Sequence, residues 1–286
     1  MDTVFSIGVA GWSYPDWKGI VYPRGIKDPL AYVCRFVDCI EINSTFYRPP
    51  EAAHCRRWRE QTAFKDGFFF TAKLHSDFTH EGRIEPAMVS QFHRGLEPLA
   101  EAGKLRHLLM QFRYDFDDSP EHRAHLKKLV EQFASAFSLV VEVRHRSWQT
   151  PQALEFLDRL HVTVANLDYP IGADSFSLET CTVGATGYMR LHGRNTEKWF
   201  SKCSRDETYN YDYNTEELGQ IEGRIRKLLS VYPSVVVITN NHYQGGEVKN
   251  ALELKARLTG QKQLIPEDLL LRHPRLSDIA LNRPLF

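Results

Sequence analysis

Charged and amide residues recur at the ends of successive apolar runs, nearly always spaced two apart. Glu41 and Asn43 follow Cys39-Ile40, and Thr71, Lys73 and His75 alternate with apolar neighbours. Gln111 and Arg113 follow Leu108-Leu109-Met110. Glu142 and Arg144 alternate with Val141 and Val143, Asn166 and Asp168 flank Leu167, and Arg190 and His192 flank Leu191. Asn240, Asn241 and His242 close the run Val235–Ile238. Residues two apart on a strand share a face. Each strand is therefore expected to turn its polar set one way, with the charges crowded at the C-terminal tip.

The residue types define a chemistry. Glu41, Glu142, Asp168 and His192 are the candidate catalytic groups, carboxylates and an imidazole able to move protons. Lys73, Arg144, Arg190 and Arg194 suit an anion clamp, with Arg113 as a further cation. Asn43, Gln111, Asn166, Asn240, Asn241 and His242 add hydrogen-bonding capacity, and Trp12 and Tyr47 are candidate walls for the ligand. His75 and His145 stand near the same rim. The competing structural reading is a self-paired ion layer at the top of a core, since buried charges must be matched. The surplus of amides and imidazoles favours a polar ligand over that reading.

Glu142, Asp168 and His192 also resemble a carboxylate–histidine metal set. Arg144 and Arg190 beside them oppose a bound cation, so no cofactor is expected and a divalent metal is the less favoured alternative. Two carboxylates across a mouth also fit a glycosidase pair, given a separation that spacing does not supply. Cys39 lies below Glu41 and reads as core, not as a nucleophile.

These residues need a scaffold. Strands are expected at Phe5–Val9, Cys39–Asn43, Phe68–Lys73, His107–Gln111, Leu139–Val143, Val162–Asn166, Tyr188–Leu191 and Val235–Thr239. Helical stretches alternate with them. One follows Pro29, one follows Pro49-Pro50, and one ends at Gly103, a fitting residue just past a C-terminus. Ser119-Pro120 and Thr150-Pro151 are N-caps followed by proline at the first helical position. Glu217–Leu229 and Glu247–Leu258 are the last helices expected. Strict alternation predicts an α/β fold, a TIM-like (β/α)8 barrel of eight parallel strands with its site at the C-terminal face. No phosphate-binding glycine loop follows any strand, which argues against a doubly wound sheet. Residues 1–262 are read as the barrel and 263–286 as a C-terminal tail packed on it. The stretch 169–186 shows no clear helix and 192–214 is a long polar, aromatic connection; connections that long are usually functional or disordered.

Composition limits the partners. The chain has 286 residues, 42% of them hydrophobic, enough for one large core. Lys+Arg and Asp+Glu both number 36, so the formal charge is zero. That argues against a surface given over to nucleic acid or an anionic membrane. Five cysteines without a CxxC fit reduced thiols and a cytoplasmic protein. The first residues lack a basic region followed by a long apolar stretch, so no signal peptide is expected. No apolar run approaches the roughly 20 residues of a membrane span. Loop aromatics, among them Trp17, Trp148, Trp199, Tyr209, Tyr211, Tyr213 and Tyr243, sit near Arg194, Lys198 and Lys202. Stacking rings beside cations keep a nucleic-acid-binding or nucleic-acid-processing barrel as the alternative to a small anionic ligand.

Several motifs together resemble one family. Gly8-Val9-Ala10-Gly11-Trp12-Ser13-Tyr14, Glu41-Ile42-Asn43-Ser44-Thr45-Phe46-Tyr47, Thr79-His80 and Gln111-Phe112 are similar to those of the YecE-like proteins, family 72 of the domains of unknown function. So are Val141-Glu142-Val143-Arg144-His145, Asn166-Leu167-Asp168, Tyr188-Met189-Arg190-Leu191-His192-Gly193-Arg194-Asn195 and Asn240-Asn241-His242-Tyr243-Gln244-Gly245. The similarity runs in order from about Gly8 to about Leu254. It implies a TIM-like barrel and transfers no activity. Arg113 departs from the family pattern, which more often has proline there. The reading adopted is an enzyme, a hydrolase or isomerase, acting on an anionic, hydroxyl-bearing ligand such as a sugar phosphate or nucleotide.

Overall fold

The computed structural model describes residues 4–201 and 204–281; Lys202 and Cys203 lie outside the described residues. Nine strand segments run in parallel: β1 (Val4–Val9), β2 (Cys39–Ile42), β3 (Phe69–Lys73), β4 (Leu105–Gln111), β5 (Leu139–Glu142), β6 (Thr163–Val164), β7 (Asn166–Asp168), β8 (Gly187–Leu191) and β9 (Ser234–Thr239). Their order is β6-β5-β4-β3-β2-β1-β9-β8-β7. The two outermost segments are consecutive in the chain, separated by Ala165 alone. β6 pairs with β5 and β7 pairs with β8, so this one broken strand closes the ring. The Ala165 amide still donates to the Val141 carbonyl at 2.9 Å. Eight barrel strands result, as the alternation predicts.

Side-chain parity divides the core in two. Cys39, Phe69, Leu109, Val140, Leu167, Tyr188, Val236 and Ile238 fill the barrel interior. Ile40, Phe70, Leu108, Val141, Met189 and Val237 face outward, into the layer between barrel and helices. Each such side chain contributes about 1.5–3 kcal/mol when fully buried. Gly8 lets β1 and β2 close up. A Cβ there would overlap the Cys39 carbonyl oxygen and lie 2.5 Å from its sulfur.

The helices are α1 (Pro29–Cys34), α2 (Ala52–Gln61), α3 (Ser76–Thr79), α4 (Pro86–Glu101), α5 (Pro120–Phe133), α6 (Pro151–Arg159), α7 (Thr196–Trp199), α8 (Arg205–Thr208), α9 (Thr215–Leu229), α10 (Gly246–Thr259) and α11 (Glu267–Arg272). The Ser119 and Thr150 caps form as expected, accepting from the amides of His122 at 3.3 Å and Ala153 at 3.2 Å. α9 begins two residues before the expected Glu217 because Asn214 and Glu217 make a reciprocal capping box. The connection 192–214 holds two short helices that its composition does not announce. In the C-terminal segment Leu269 and Leu276 are buried, and Gln263 bridges to Ala280. Among the described residues no helix is long and apolar enough to cross a membrane.

Candidate functional site at the barrel mouth

The tips of β2, β3, β4, β5 and β8 bring five charged side chains and Gln111 into one inner layer. Arg190 sits at its centre. Its Nη2 and Nε donate to the two Glu41 carboxylate oxygens at 2.6 and 3.1 Å, and its Nη1 donates to Glu142. Arg144 adds two bonds to Glu142, at 2.9 and 2.6 Å, and Gln111 a third at 2.7 Å. Lys73 Nζ stands 3.8 Å from Glu41, and the Tyr188 hydroxyl reaches the same carboxylate at 3.4 Å. Glu41, Glu142, Arg190 and His192 are fully buried, whereas the Arg144 side chain keeps 17% of its exposure and Lys73 8%. The carboxylates therefore lie deep and the accessible cations lie at the rim.

The electrostatics follow from that layering. Burial alone would raise the Glu142 carboxyl, but Arg190, Arg144 and His192 outweigh it and hold it well below the usual carboxylate range. Burial, opposed by Glu142 and reinforced by Arg190, pushes the His192 imidazole down to about 3. His192 is therefore neutral at pH 7. Its Nε2 lies 3.4 Å from Glu142 and its Nδ1 3.0 Å from the Asn240 amide nitrogen, so both ring nitrogens are engaged. Among the described residues three cations, Lys73, Arg144 and Arg190, and two carboxylates, Glu41 and Glu142, make up the layer.

Above this layer is an opening of 200 Å³ bordered by Asn43, Phe46, Tyr47, Lys73, His80, Gln111, Arg144 and Tyr209. Asn43 donates to the Ala10 carbonyl at 2.6 Å, while its buried Oδ1 has no partner among the described residues. The Asn240 Oδ1 is likewise buried without one. Trp199 and Tyr209 roof His192, with ring centres 5.7 and 6.1 Å away, and the Arg144 guanidinium lies 5.4 Å from the Trp199 ring. His242 stands between Tyr14 and Tyr209 at 4.7 and 5.4 Å. His75 caps α3 through the Asp77 amide.

Six expected positions are corrected. Asn166 and Asp168 face away from the barrel interior, because Ala165, Leu167 and Tyr169 take the inner face of this strand. Their outer partners explain the choice. Asn166 bonds the Cys181 backbone at 2.7 and 3.0 Å. Asp168 receives a bidentate pair from Arg194, both bonds at 2.8 Å, plus Tyr213 at 2.9 Å and Arg224 at 3.1 Å. Arg194 thus anchors the loop after β8 and does not reach the mouth. Asn241 also turns outward, to Tyr211 O and Asn250, at 2.8 and 2.7 Å. Arg113 is half exposed and pairs with Asp115 at 3.0 Å. Trp12 packs on Trp58 at 5.3 Å and borders a neighbouring 610 Å³ cleft, which shares Asn43 and Tyr47 with the mouth.

Glu142, Asp168 and His192 accordingly do not converge, and among the described residues no three His, Cys, Asp or Glu side chains gather as metal ligands would. Sequence reading did not single out Tyr188, which contacts the inner layer from below, or His80, which borders the opening. Tyr188 shares the parity of Arg190 and was detectable from it. Arg224, a partner of Asp168 from α9, carries no local signal.

A closed parallel ring with its polar cluster at the strand C-termini is a TIM-like (β/α)8 barrel. The chain belongs to the DUF72 family, described as proteins of unknown function, whose model matches residues 6–274. A DUF72 family protein from Thermotoga maritima is similar at 32% identity and a TM-score of 0.77, over 89% of this chain and 99% of that one. A DUF72 family protein from Enterococcus faecalis superposes with a TM-score of 0.79 over 90% and 96%; at 24% identity this likeness concerns the fold. The UPF0759 protein YecE of Escherichia coli is 30% identical over 141 residues, 49% of this chain. The chain matches about half the length of that relative, 48%.

Proposed function

We propose that the barrel mouth binds a small anionic, hydroxyl-bearing ligand, such as a sugar phosphate or nucleotide, and turns it over by hydrolysis or isomerisation. The observation that carries this reading is the layering of charge, with both carboxylates fully buried and the cations Lys73 and Arg144 at the accessible rim beside the 200 Å³ opening. A phosphate or carboxylate entering there meets positive charge first. The buried, unpartnered Asn43 Oδ1 supports the second half of the description, being an acceptor placed for a ligand hydroxyl. In this reading Glu41, Glu142 and His192 hold the two arginines in place.

The test is ligand-dependent stability. Inorganic phosphate and sugar phosphates raise Tm in proportion to the logarithm of their concentration, and the neutral parent sugars do so far less. Lys73→Met abolishes most of the effect. A wild-type protein indifferent to every anion tried would refute the proposal.

A nucleic-acid ligand has its own supporting observation, an 860 Å³ cleft that shares Arg144 and Tyr209 with the mouth and is walled by Tyr114, Trp199 and Phe200. Salt dependence separates the two. A strand neutralising several cations loses affinity steeply with salt, and a single phosphate does not.

A further inference from the structure

We propose that His80 is the proton-transferring group of this mouth, a catalytic residue supplied by the helical turn after β3 and not by a strand tip. The proposal rests on the anion-binding reading above and adds the chemical step to it.

The strand-tip groups are already committed. Glu142 meets four donors, Gln111, Arg144, Arg190 and His192, and Glu41 accepts from Nε and Nη2 of Arg190. His192 uses both ring nitrogens. A proton carrier needs a lone pair and a path to the ligand. His80 borders the same 200 Å³ opening as Lys73, Gln111 and Arg144.

The proposal requires one tautomer. In it His80 Nδ1–H donates to Thr79 Oγ1 at 3.0 Å, and the Thr79 hydroxyl turns to the His75 carbonyl at 3.5 Å. Nε2 then keeps its lone pair. The Phe46 ring, edge-to-face at 4.9 Å, fixes the plane of the imidazole.

The surroundings set when that lone pair becomes basic. Burial first, then Arg144, Arg113 and Lys73, pull the imidazole down to about 4, with Glu81 opposing. Asp115 and His122 line the cleft on its other side. An anion on Lys73 and Arg144 cancels much of the repulsion, so ligand binding itself strengthens the base. Nε2 then takes a proton from a ligand hydroxyl or from the attacking water. The N–H bond forms as the O–H bond breaks, and the electron pair stays on oxygen. The imidazolium returns the proton to the product, and no oxidant or reductant is required.

Nitrogen-15 NMR of histidine-labelled protein tests this with inorganic phosphate as the probe. The His80 signal is assigned by its loss in both His80→Gln and His80→Asn. Expected in the absence of phosphate are the Nδ1–H tautomer and a low titration midpoint. Saturating phosphate should raise that midpoint by about one unit, a tenfold gain in proton affinity. If phosphate stabilises the protein but His80 shows the Nε2–H tautomer or an unmoved midpoint, the proton-transfer role is overturned while the anion site stands. If phosphate neither stabilises the protein nor shifts any mouth signal, the anion site itself fails, and this inference with it.

Discussion

Arg190 and Glu41 meet across the barrel interior in a two-point contact of 2.6 and 3.1 Å, although 149 residues separate them in the chain. The same guanidinium reaches Glu142 with its remaining terminal nitrogen. One cation thus ties β2 to β5 through β8. The planar fork of arginine permits this and a lysine ammonium does not.

Glu142→Gln should lower stability by about 3–5 kcal/mol, because it leaves Arg144 and Arg190 facing one carboxylate instead of two. Urea unfolding is the measurement. A near-neutral change would mean that solvent already neutralises these arginines, and would return Glu142 to the list of strained catalytic groups.

Stability should fall as pH drops below the ordinary histidine value. Burial and Arg106 hold His107 at about 4, and His192 is held at about 3. Unfolding lets each rise toward about 6.5, so the unfolded chain binds more protons between those values. The loss begins near pH 6.5 and reaches up to about 1.4 kcal/mol per pH unit for each histidine. Glu142 acts in the same direction, its stabilisation fading as pH falls through the carboxylate range. Unfolding curves at pH 7.5, 6 and 5 check this, and a flat profile would contradict it. His107→Asn should reduce the slope.

Asp168→Asn should loosen the loop after β8 while leaving the inner charge layer intact. The carboxylate holds Arg194, Arg224 and Tyr213 together. Hydrogen exchange of residues 193–213 should accelerate at least tenfold, and that of β2 and β5 should not. Uniform acceleration would show that the loop and the barrel open as one unit.

Four thiols should be silent toward a disulfide reagent in the native protein. Cys34, Cys39, Cys55 and Cys181 are buried, and burial pushes Cys34 up to about 11 and Cys55 up to about 12. All four should react together once the protein unfolds. Early labelling of Cys39 would mean that the barrel interior is open to solvent.

Much of the scaffold was legible from residue order. Parity at Glu41, Lys73, Gln111, Glu142, Arg190 and Asn240 carried their inward placement, because Cys39, Phe69, Leu109, Val140, Tyr188 and Ile238 share the same faces. The rule failed where a polar residue found a better partner outside. Asn166 and Asp168 alternate as their counterparts do, yet the groups that fix their direction, the Cys181 backbone for Asn166 and Arg194 and Arg224 for Asp168, lie elsewhere in the chain. Period-two spacing tells which residues share a face and not which face is inner. His80 entered only through the Thr79-His80 motif and not as a site candidate, for a related reason: it caps a short helix whose place above the strands is set by tertiary packing.

The rings over the mouth, Trp199 and Tyr209, and the carboxylate that pegs their loop, Asp168, belong to opposite sides of the barrel wall. For a ligand bound as proposed, passage would be governed from the outer surface, through Arg224 on α9, by residues remote from the mouth. Access and affinity would then be separate properties. A change at α9 would alter how fast the mouth exchanges its contents and leave the inner charge layout as it is.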